Sequence, residues 1–146
     1  MELLLVEDDQ DDIEVVVRLA ARSRLDVRVT TATTGDEAVG HLTRRRTELQ
    51  TSGGRALDLV LLDLKLPARP GIDVLRWLKA DRHLREIPVV IVSGSDDDRA
   101  VQEGRELGAH SHIVKPITLR SLVWIVTTVR NYRSRLVKLP SASSEA

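Results

Sequence analysis

Residues 3–9 read LLLVEDD, four apolar side chains followed directly by three acidic ones. A short apolar run without alternation is typical of a strand that is buried on both faces, as in a parallel sheet. Four similar apolar runs follow along the chain, at 27–30, 57–62, 89–92 and 113–114. The sequence therefore predicts five strands of one parallel sheet.

Helical patterns lie between these predicted strands. Apolar residues recur at helical spacing over 13–20 and over 72–78. Weaker helices are expected over 36–48 and 97–107, and a long last helix over 118–138. Because strands and helices alternate in short segments, the crossovers should be right-handed, with helices on both faces of the sheet. The predicted fold class is a doubly wound α/β domain.

Polar residues and glycines set the expected limits of the helices. Asp9 and Asp36 are candidate N-caps, as is Ser95 or Asp96 for the fourth helix, and Gly108 is a candidate stop. A long flexible loop is expected before the third strand, over 47–56. The domain is predicted to span 1–139, with a disordered tail over 140–146 after Pro140.

Composition limits the classes of function. The 146 residues suit one domain, and 42% hydrophobic with 30% charged residues is typical of a globular chain. Lys and Arg (22) balance Asp and Glu (22), so no net field favours nucleic acid. The absence of cysteine excludes disulfides, thiolate metal sites and cysteine nucleophiles. No apolar run has the length of a membrane span and no signal peptide is evident, so we expect a cytoplasmic protein that binds neither nucleic acid nor membrane.

Polar side chains follow most of the predicted strands. In open α/β sheets, ligands bind at the carboxyl ends of the strands, near the point where the strand order reverses. The residues at these ends are Glu7, Asp8 and Asp9 after the first strand, Asp63 after the third, Ser93 after the fourth and Lys115 after the fifth. If the first and third strands are neighbours, these side chains converge on one edge.

Clustered carboxylates repel one another unless a cation lies among them. Mg²⁺ prefers oxygen ligands and keeps places for phosphate oxygens, whereas the lack of cysteine and the scarcity of histidine at the strand ends argue against zinc. Together with a hydroxyl at Ser93 and an amine at Lys115, such a site suits phosphoryl transfer. Asp63 is then the nucleophile, because an aspartate can form an acyl phosphate.

Four short motifs occupy these strand ends, and each is common by itself. They are VEDD at 6–9, LDLKLP at 62–67, VSG at 92–94 and VKP at 114–116. In order and spacing they resemble the motifs of receiver domains of two-component response regulators, and the resemblance extends from Leu3 to the last helix. It implies a flavodoxin-like receiver fold with five strands in the order 2-1-3-4-5.

The resemblance also implies roles for individual residues. Asp63 would be phosphorylated by a partner histidine kinase. Glu7 and Asp8, with Asp63 and the backbone carbonyl of Lys65, would hold Mg²⁺ as the cofactor.

The same resemblance implies how the phosphoryl group is held. Ser93 would hydrogen-bond to it, and Lys115 would pair with its charge, preceding a cis Lys115-Pro116 bond. Family members usually carry Tyr or Phe three residues before the lysine, whereas this chain has His112. In those family members the ring turns inward when the hydroxyl residue moves toward phosphate, whereas the imidazole of His112 is smaller, so the resemblance does not imply this rotation here.

Nothing after residue 138 suggests an output module, so the sequence resembles a single-domain regulator. The long loop before the third strand, the segment LREIP at 84–88 and the extended last helix further resemble regulators paired with phytochrome-type light-sensing kinases.

At 3.6 residues per turn, Trp124 points away from the apolar stripe of the last helix. A large aromatic side chain facing water predicts a homodimer through that helix.

The resemblance predicts a phosphoacceptor and not an enzyme that acts on free substrates. Two alternatives to this function stay open. One is a Mg²⁺-dependent phosphatase with an aspartyl nucleophile. Such enzymes generally place a second Asp two residues after the nucleophile, where this chain has Lys65. The other is a receiver-like docking module that never takes phosphate, although the acidic residues, the acceptor and the lysine are all present.

Overall fold

The computed structural model describes residues 1–53, 57–94 and 99–145, with side chains as far as Tyr132. Five strands and five helices alternate along the described residues. The strands are β1 (Glu2–Val6), β2 (Arg28–Ala32), β3 (Leu59–Asp63), β4 (Val89–Ser93) and β5 (Ser111–Val114). The helices are α1 (Gln10–Arg22), α2 (Gly35–Thr51), α3 (Gly71–Ala80), α4 (Arg99–Glu106) and α5 (Leu119–Glu145). Among these described residues, no helix combines the length and the apolar character needed to cross a bilayer.

The five strands form one sheet in the order β2-β1-β3-β4-β5, and every pair is parallel. This confirms the predicted fold class and strand order. The chain order reverses at β1, which pairs with β2 on one side and β3 on the other. A crevice at such a switch point is where this class of fold binds its ligands.

Alternate side chains of the buried strands enter two separate cores. Leu4 and Leu62 pack with residues of α2, α3 and α4 on one face. Leu3 and Leu61 pack with residues of α1 and α5 on the other face. The buried residues of both cores are Leu, Ile, Val and Ala, and each fully buried Leu, Ile or Val side chain contributes about 1.5–3 kcal/mol. The central strands are therefore firmly held, and so are the residues at their ends.

The helix caps agree with the sequence at one position and differ at another. The side chain of Asp9 accepts a hydrogen bond from the Asp12 amide (3.0 Å), which confirms Asp9 as the N-cap of α1. Asp36 is not the N-cap of α2, because the hydroxyl of Thr34 accepts from the Glu37 amide (3.0 Å) and begins the helix two residues earlier. The predicted caps at 95 and 96 lie outside the described residues.

The predicted loop over 47–56 is partly wrong, because α2 continues to Thr51. The hydroxyls of Thr43, Thr47 and Thr51 each donate to the backbone carbonyl four residues earlier, so each hydroxyl has a hydrogen-bond acceptor within the helix. Gly53 then adopts a positive φ of 67°, after the helix has ended. Residues 54–56 lie outside the described part of the chain.

The last helix is longer than the sequence predicts. Its described part runs to Glu145, past the end predicted at residue 138. Proline lacks the amide proton and its ring crowds the preceding turn, which favours a helix end near Pro140, whereas the helical backbone of α5 continues past it. The domain limit at residue 139 stays a prediction.

Candidate functional site

The acidic residues meet because β1 and β3 are neighbours and end in register. Val6 pairs with Leu62, so the following residues, Glu7 and Asp63, emerge side by side. Glu7, Asp8 and Asp63 each offer a carboxylate oxygen, and these oxygens all lie within 4.8 Å of one another. Glu7 and Asp63 are only 3% and 5% exposed, whereas Asp8 is exposed. The structure thus brings together the three predicted acidic ligands.

Lys115, which follows β5, reaches into this acidic group. Its ammonium nitrogen lies 2.8 Å from Glu7 Oε1 and 3.1 Å from Asp63 Oδ2. A third carboxylate oxygen, Oδ2 of Asp12, lies 2.9 Å from the same nitrogen. The peptide bond between Lys115 and Pro116 is cis, as the resemblance of the motifs implies.

Burial sets the electrostatics of the site. It raises the pKa of Glu7 to about 7, an effect that the hydrogen bond from Lys115 opposes and nearby Asp63 strengthens. Burial alone would lower the pKa of Lys115, but the hydrogen bonds to Glu7, Asp12 and Asp63 outweigh it and hold that pKa above its ordinary value. The lysine therefore stays charged, while the carboxylates around it carry more negative charge than one ammonium group can balance.

This donor set fits a hard divalent cation. Glu7, Asp8 and Asp63 offer oxygen atoms and no sulfur or nitrogen, which is the chemistry that Mg²⁺ prefers. Burial is the first cause of the raised pKa of Glu7, and nearby Asp63 adds to it; a cation bound among these carboxylates would favour their charged forms. Magnesium itself stays a prediction.

Lys65 and Ser93 complete the predicted set. The backbone N–H of Lys65 donates to Asp63 Oδ1 (2.9 Å), so its backbone lies beside the acidic group while the residue itself is exposed. Ser93 ends β4 and is 4% exposed, and its carbonyl accepts from the Lys115 amide (2.7 Å). Both residues lie at the same edge as Asp63, and their roles toward a metal or phosphoryl group stay predictions.

His112, at the position where receiver domains usually carry Tyr or Phe, contacts α4. Its Nδ1 lies 2.6 Å from Nη2 of Arg105. Because a guanidinium group can only donate, the imidazole nitrogen accepts this hydrogen bond. His112 is half-buried and thus has a polar partner on α4, which a phenylalanine would lack.

Two residues near the site escaped the sequence analysis. Asp12 contacts Lys115, but an acidic residue in the first turn of a helix has an ordinary explanation in the helix dipole. Gly71 begins α3 and packs against the backbone of Asp63. The Pro70-Gly71 pair marks a turn in the sequence, yet it does not show which backbone the glycine approaches.

Comparison with known proteins gives a consistent result. The family model described as the response regulator receiver domain matches residues 3–127. Response regulator Rcp1 of Synechocystis sp. is 30% identical over 140 residues, which cover 96% of this chain and 93% of Rcp1. A solved structure of Rcp1 in its Mn²⁺-bound form, 27% identical, aligns with a TM-score of 0.70 over 90% of this chain and 92% of that one.

Two further solved structures are similar. The bacteriophytochrome response regulator RtBRR is 32% identical, with a TM-score of 0.75 over 88% of this chain and 76% of that one. The phosphorylated cyanobacterial phytochrome response regulator RcpA is 33% identical, with a TM-score of 0.71 over 90% of this chain and 91% of that one.

Proposed function

Because this chain belongs to the response regulator receiver domain family, we propose that it accepts a phosphoryl group on Asp63 from a partner histidine kinase. The reaction depends on Mg²⁺, and the phosphorylated protein binds its partners differently from the unphosphorylated one. The chain acts as a phosphoacceptor in signalling rather than as an enzyme for free substrates.

The observation that carries this proposal is that the carboxylate of Asp63 takes part both in the contacts of the Lys115 ammonium group and in the cluster of acidic residues. Asp63 Oδ2 lies 3.1 Å from Lys115 Nζ, and Asp63 also belongs to the group of three acidic residues. The acceptor therefore lies between a fixed positive charge and a site for a cation. Such a place suits a phosphoryl group, whose oxygens carry negative charge throughout the transfer.

Glu7, Asp8, Asp63 and the carbonyl of Lys65 would hold Mg²⁺, which neutralises charge on the phosphoryl oxygens when bound. A carboxylate oxygen of Asp63 attacks phosphorus and forms the new P–O bond, while the P–N bond to the kinase histidine breaks and its electron pair stays on that imidazole nitrogen.

Lys115 and Ser93 then hold the product. The ammonium group of Lys115 pairs with a phosphoryl oxygen, and it stays protonated because its carboxylate partners raise its pKa. The hydroxyl of Ser93, at the end of β4, donates a hydrogen bond to another phosphoryl oxygen. The residue two positions after Asp63 is Lys65, which cannot supply the second carboxylate of an aspartyl phosphatase.

Two partners are proposed. A phytochrome-type histidine kinase is favoured, because the similar solved structures include regulators named for phytochromes and bacteriophytochromes. A second copy of this chain is expected to bind through α5, where Trp124 is 51% exposed. Because its proposed partner is a histidine kinase, we expect the protein in the cytoplasm. We expect its receiver domain to span residues 1–139.

Intact mass after incubation with acetyl phosphate and Mg²⁺ tests this function. The wild type should gain one phosphoryl group, Asp63→Asn none, and the wild type without a divalent cation far less. Asp9→Asn, which changes a neighbouring acid outside the group of three, is the matched control and should be phosphorylated. An equal gain in Asp63→Asn would reject the acceptor, no gain in the wild type would favour the docking module, and hydrolysis of unrelated phosphoesters would favour the phosphatase.

A further inference from the structure

The ammonium group of Lys115 has three carboxylate partners. Its nitrogen lies 2.8 Å from Glu7 Oε1, 2.9 Å from Asp12 Oδ2 and 3.1 Å from Asp63 Oδ2. An ammonium group carries three N–H donors, and these distances suit charge-assisted hydrogen bonds. Each donor therefore has one carboxylate acceptor, and Asp12 supplies the third.

Asp12 differs from the other two partners in one respect. Glu7 and Asp63 also belong to the group of acidic residues that could hold a metal ion, whereas Asp12 does not. In the proposed reaction Mg²⁺ would bind Glu7 and Asp63, and the phosphoryl group would be bonded to Asp63. Among the described residues, Asp12 is then the one acidic partner of Lys115 that lies outside the proposed metal site.

The placement of Asp12 suits a fixed role. It lies in the first turn of α1, and its amide donates to the capping side chain of Asp9 (3.0 Å). A negative charge is favourable at this end of a helix. The next residue, Ile13, is buried in the core between α1 and the sheet, so the first turn is anchored. The carboxylate therefore extends from an anchored helix and not from a mobile loop.

We propose that Asp12 is a positioning residue that holds the ammonium group of Lys115 beside the phosphoryl acceptor. This inference rests on the proposed function, since it concerns the same transfer to Asp63. With acetyl phosphate as donor, the P–O bond to acetate breaks as the bond to Asp63 forms, and acetate leaves with the electron pair. An ammonium group held in place stabilises the charge on the transferring group without first having to be oriented.

The test compares Asp12→Asn with Asp11→Asn. Asp11 is an exposed neighbour in the same turn of α1 and is not among the partners of Lys115, so its variant removes the same charge from the same helix end. Asparagine at position 12 keeps the backbone amide that Asp9 caps, so α1 should still form. Thermal melting of the two variants checks this.

Two measurements decide the inference. The first is the ¹H–¹⁵N signal of the Lys115 ammonium group at low temperature without Mg²⁺, assigned by its loss in Lys115→Arg. It is expected in the wild type and in Asp11→Asn, and it should disappear in Asp12→Asn. The second is the initial rate of phosphorylation by acetyl phosphate with Mg²⁺, expected to be about tenfold lower in Asp12→Asn than in Asp11→Asn, which corresponds to ~1.4 kcal/mol.

An unchanged ammonium signal in Asp12→Asn, or a rate equal to that of Asp11→Asn, would overturn the inference. If the wild type takes up no phosphoryl group, the proposed function fails. The ammonium signal, recorded without donor or metal, still decides in that case whether Asp12 holds Lys115.

Discussion

A Cβ atom at Gly71 would lie 2.2 Å from the carbonyl oxygen of Asp63. It would also lie 2.7 Å from the Cα atom of Leu64, and the Gly71 amide donates to the Leu64 carbonyl (3.0 Å). Both close contacts involve backbone atoms, which cannot move aside as a flexible side chain can. The first residue of α3 is therefore packed directly onto the backbone that carries the proposed acceptor.

Gly71→Ala should destabilise the fold. Because the added methyl group meets backbone at the end of β3, we expect a loss of roughly 1–3 kcal/mol of unfolding free energy, or more. Gly40→Ala is the control, since Gly40 is exposed within α2 and a Cβ there has no neighbour within 4 Å. That change should stabilise the protein by up to about 1 kcal/mol. Urea unfolding measures both, and equal effects would contradict the close packing.

Asp8→Asn should weaken Mg²⁺ binding at least about tenfold, because it removes an exposed carboxylate from the proposed metal site. Asp9→Asn changes the next acidic residue, and asparagine caps a helix as well as aspartate does, so its affinity should stay near that of the wild type. Calorimetric titration with Mg²⁺ measures the affinities. If the two variants bind equally well, Asp8 is not a ligand.

The same metal should stabilise the folded protein, because an ion that binds only the native state adds free energy by mass action. At a free concentration a hundred times its dissociation constant, the gain is about 2.7 kcal/mol. Thermal melting with and without Mg²⁺ measures it. The wild type and Asp9→Asn should both be stabilised, and a similar rise in Asp63→Asn would place the ion elsewhere.

His110 should make the fold less stable in mild acid. Burial, and secondarily the charge of Lys79, lower the pKa of His110 below its ordinary value of 6.5. The unfolded chain therefore takes up the proton first, so the unfolding free energy falls as the pH drops below 6.5 toward the lower pKa of the folded state. The centroid of the His110 imidazole ring lies 4.8 Å from the centroid of the Tyr132 ring.

Melting temperatures measured at a series of pH values test this effect. His110→Gln should show a weaker dependence below pH 6.5 than the wild type does. Above about pH 7.5, where a histidine of lowered pKa is largely uncharged in the folded and the unfolded chain, the two proteins should show the same dependence. An identical dependence in His110→Gln below pH 6.5 would show that His110 does not contribute.

Trp124→Ala should lower the sedimentation mass of the protein toward that of one chain. Half of the indole is exposed on α5, and an aromatic side chain of this size contributes strongly when a partner covers it. Val17→Ala is the control, because Val17 is a similarly exposed apolar residue (43%) on α1. An unchanged mass in Trp124→Ala would remove Trp124 from the interface.

Much of the site could be predicted because apolar strands end where the functional residues begin. The abrupt change after Val6 and again after Leu62 marks the ends of β1 and β3, and parallel pairing then brings Glu7 and Asp63 together. The strand order follows from the resemblance of the motifs to those of receiver domains, because periodicity does not specify which strands are neighbours. Buried strands of Leu, Ile and Val can be predicted from the sequence, because a short apolar run bounded by polar residues is itself the signal of such a strand.

Contacts between distant segments could not be predicted. Asp12 is separated from Lys115 by 103 residues, and the sequence alone explains an acid at that place by the helix dipole. The choice of Thr34 over Asp36 as a cap depends on where the chain leaves β2, and helix ends shift easily by two residues. Glycine suits position 71 because α3 begins against the backbone of Asp63, where a Cβ atom would clash, and the sequence does not reveal that contact.

The most direct test of the account identifies the residue that carries the phosphoryl group. Borohydride reduces an aspartyl phosphate to homoserine, so the protein treated with acetyl phosphate and Mg²⁺ can be reduced, digested and sequenced by mass spectrometry. We predict homoserine at position 63, with none in a sample that received no phosphodonor. Homoserine at position 8, or unmodified aspartate at position 63 in a protein that has gained a phosphoryl group, would contradict the central claim.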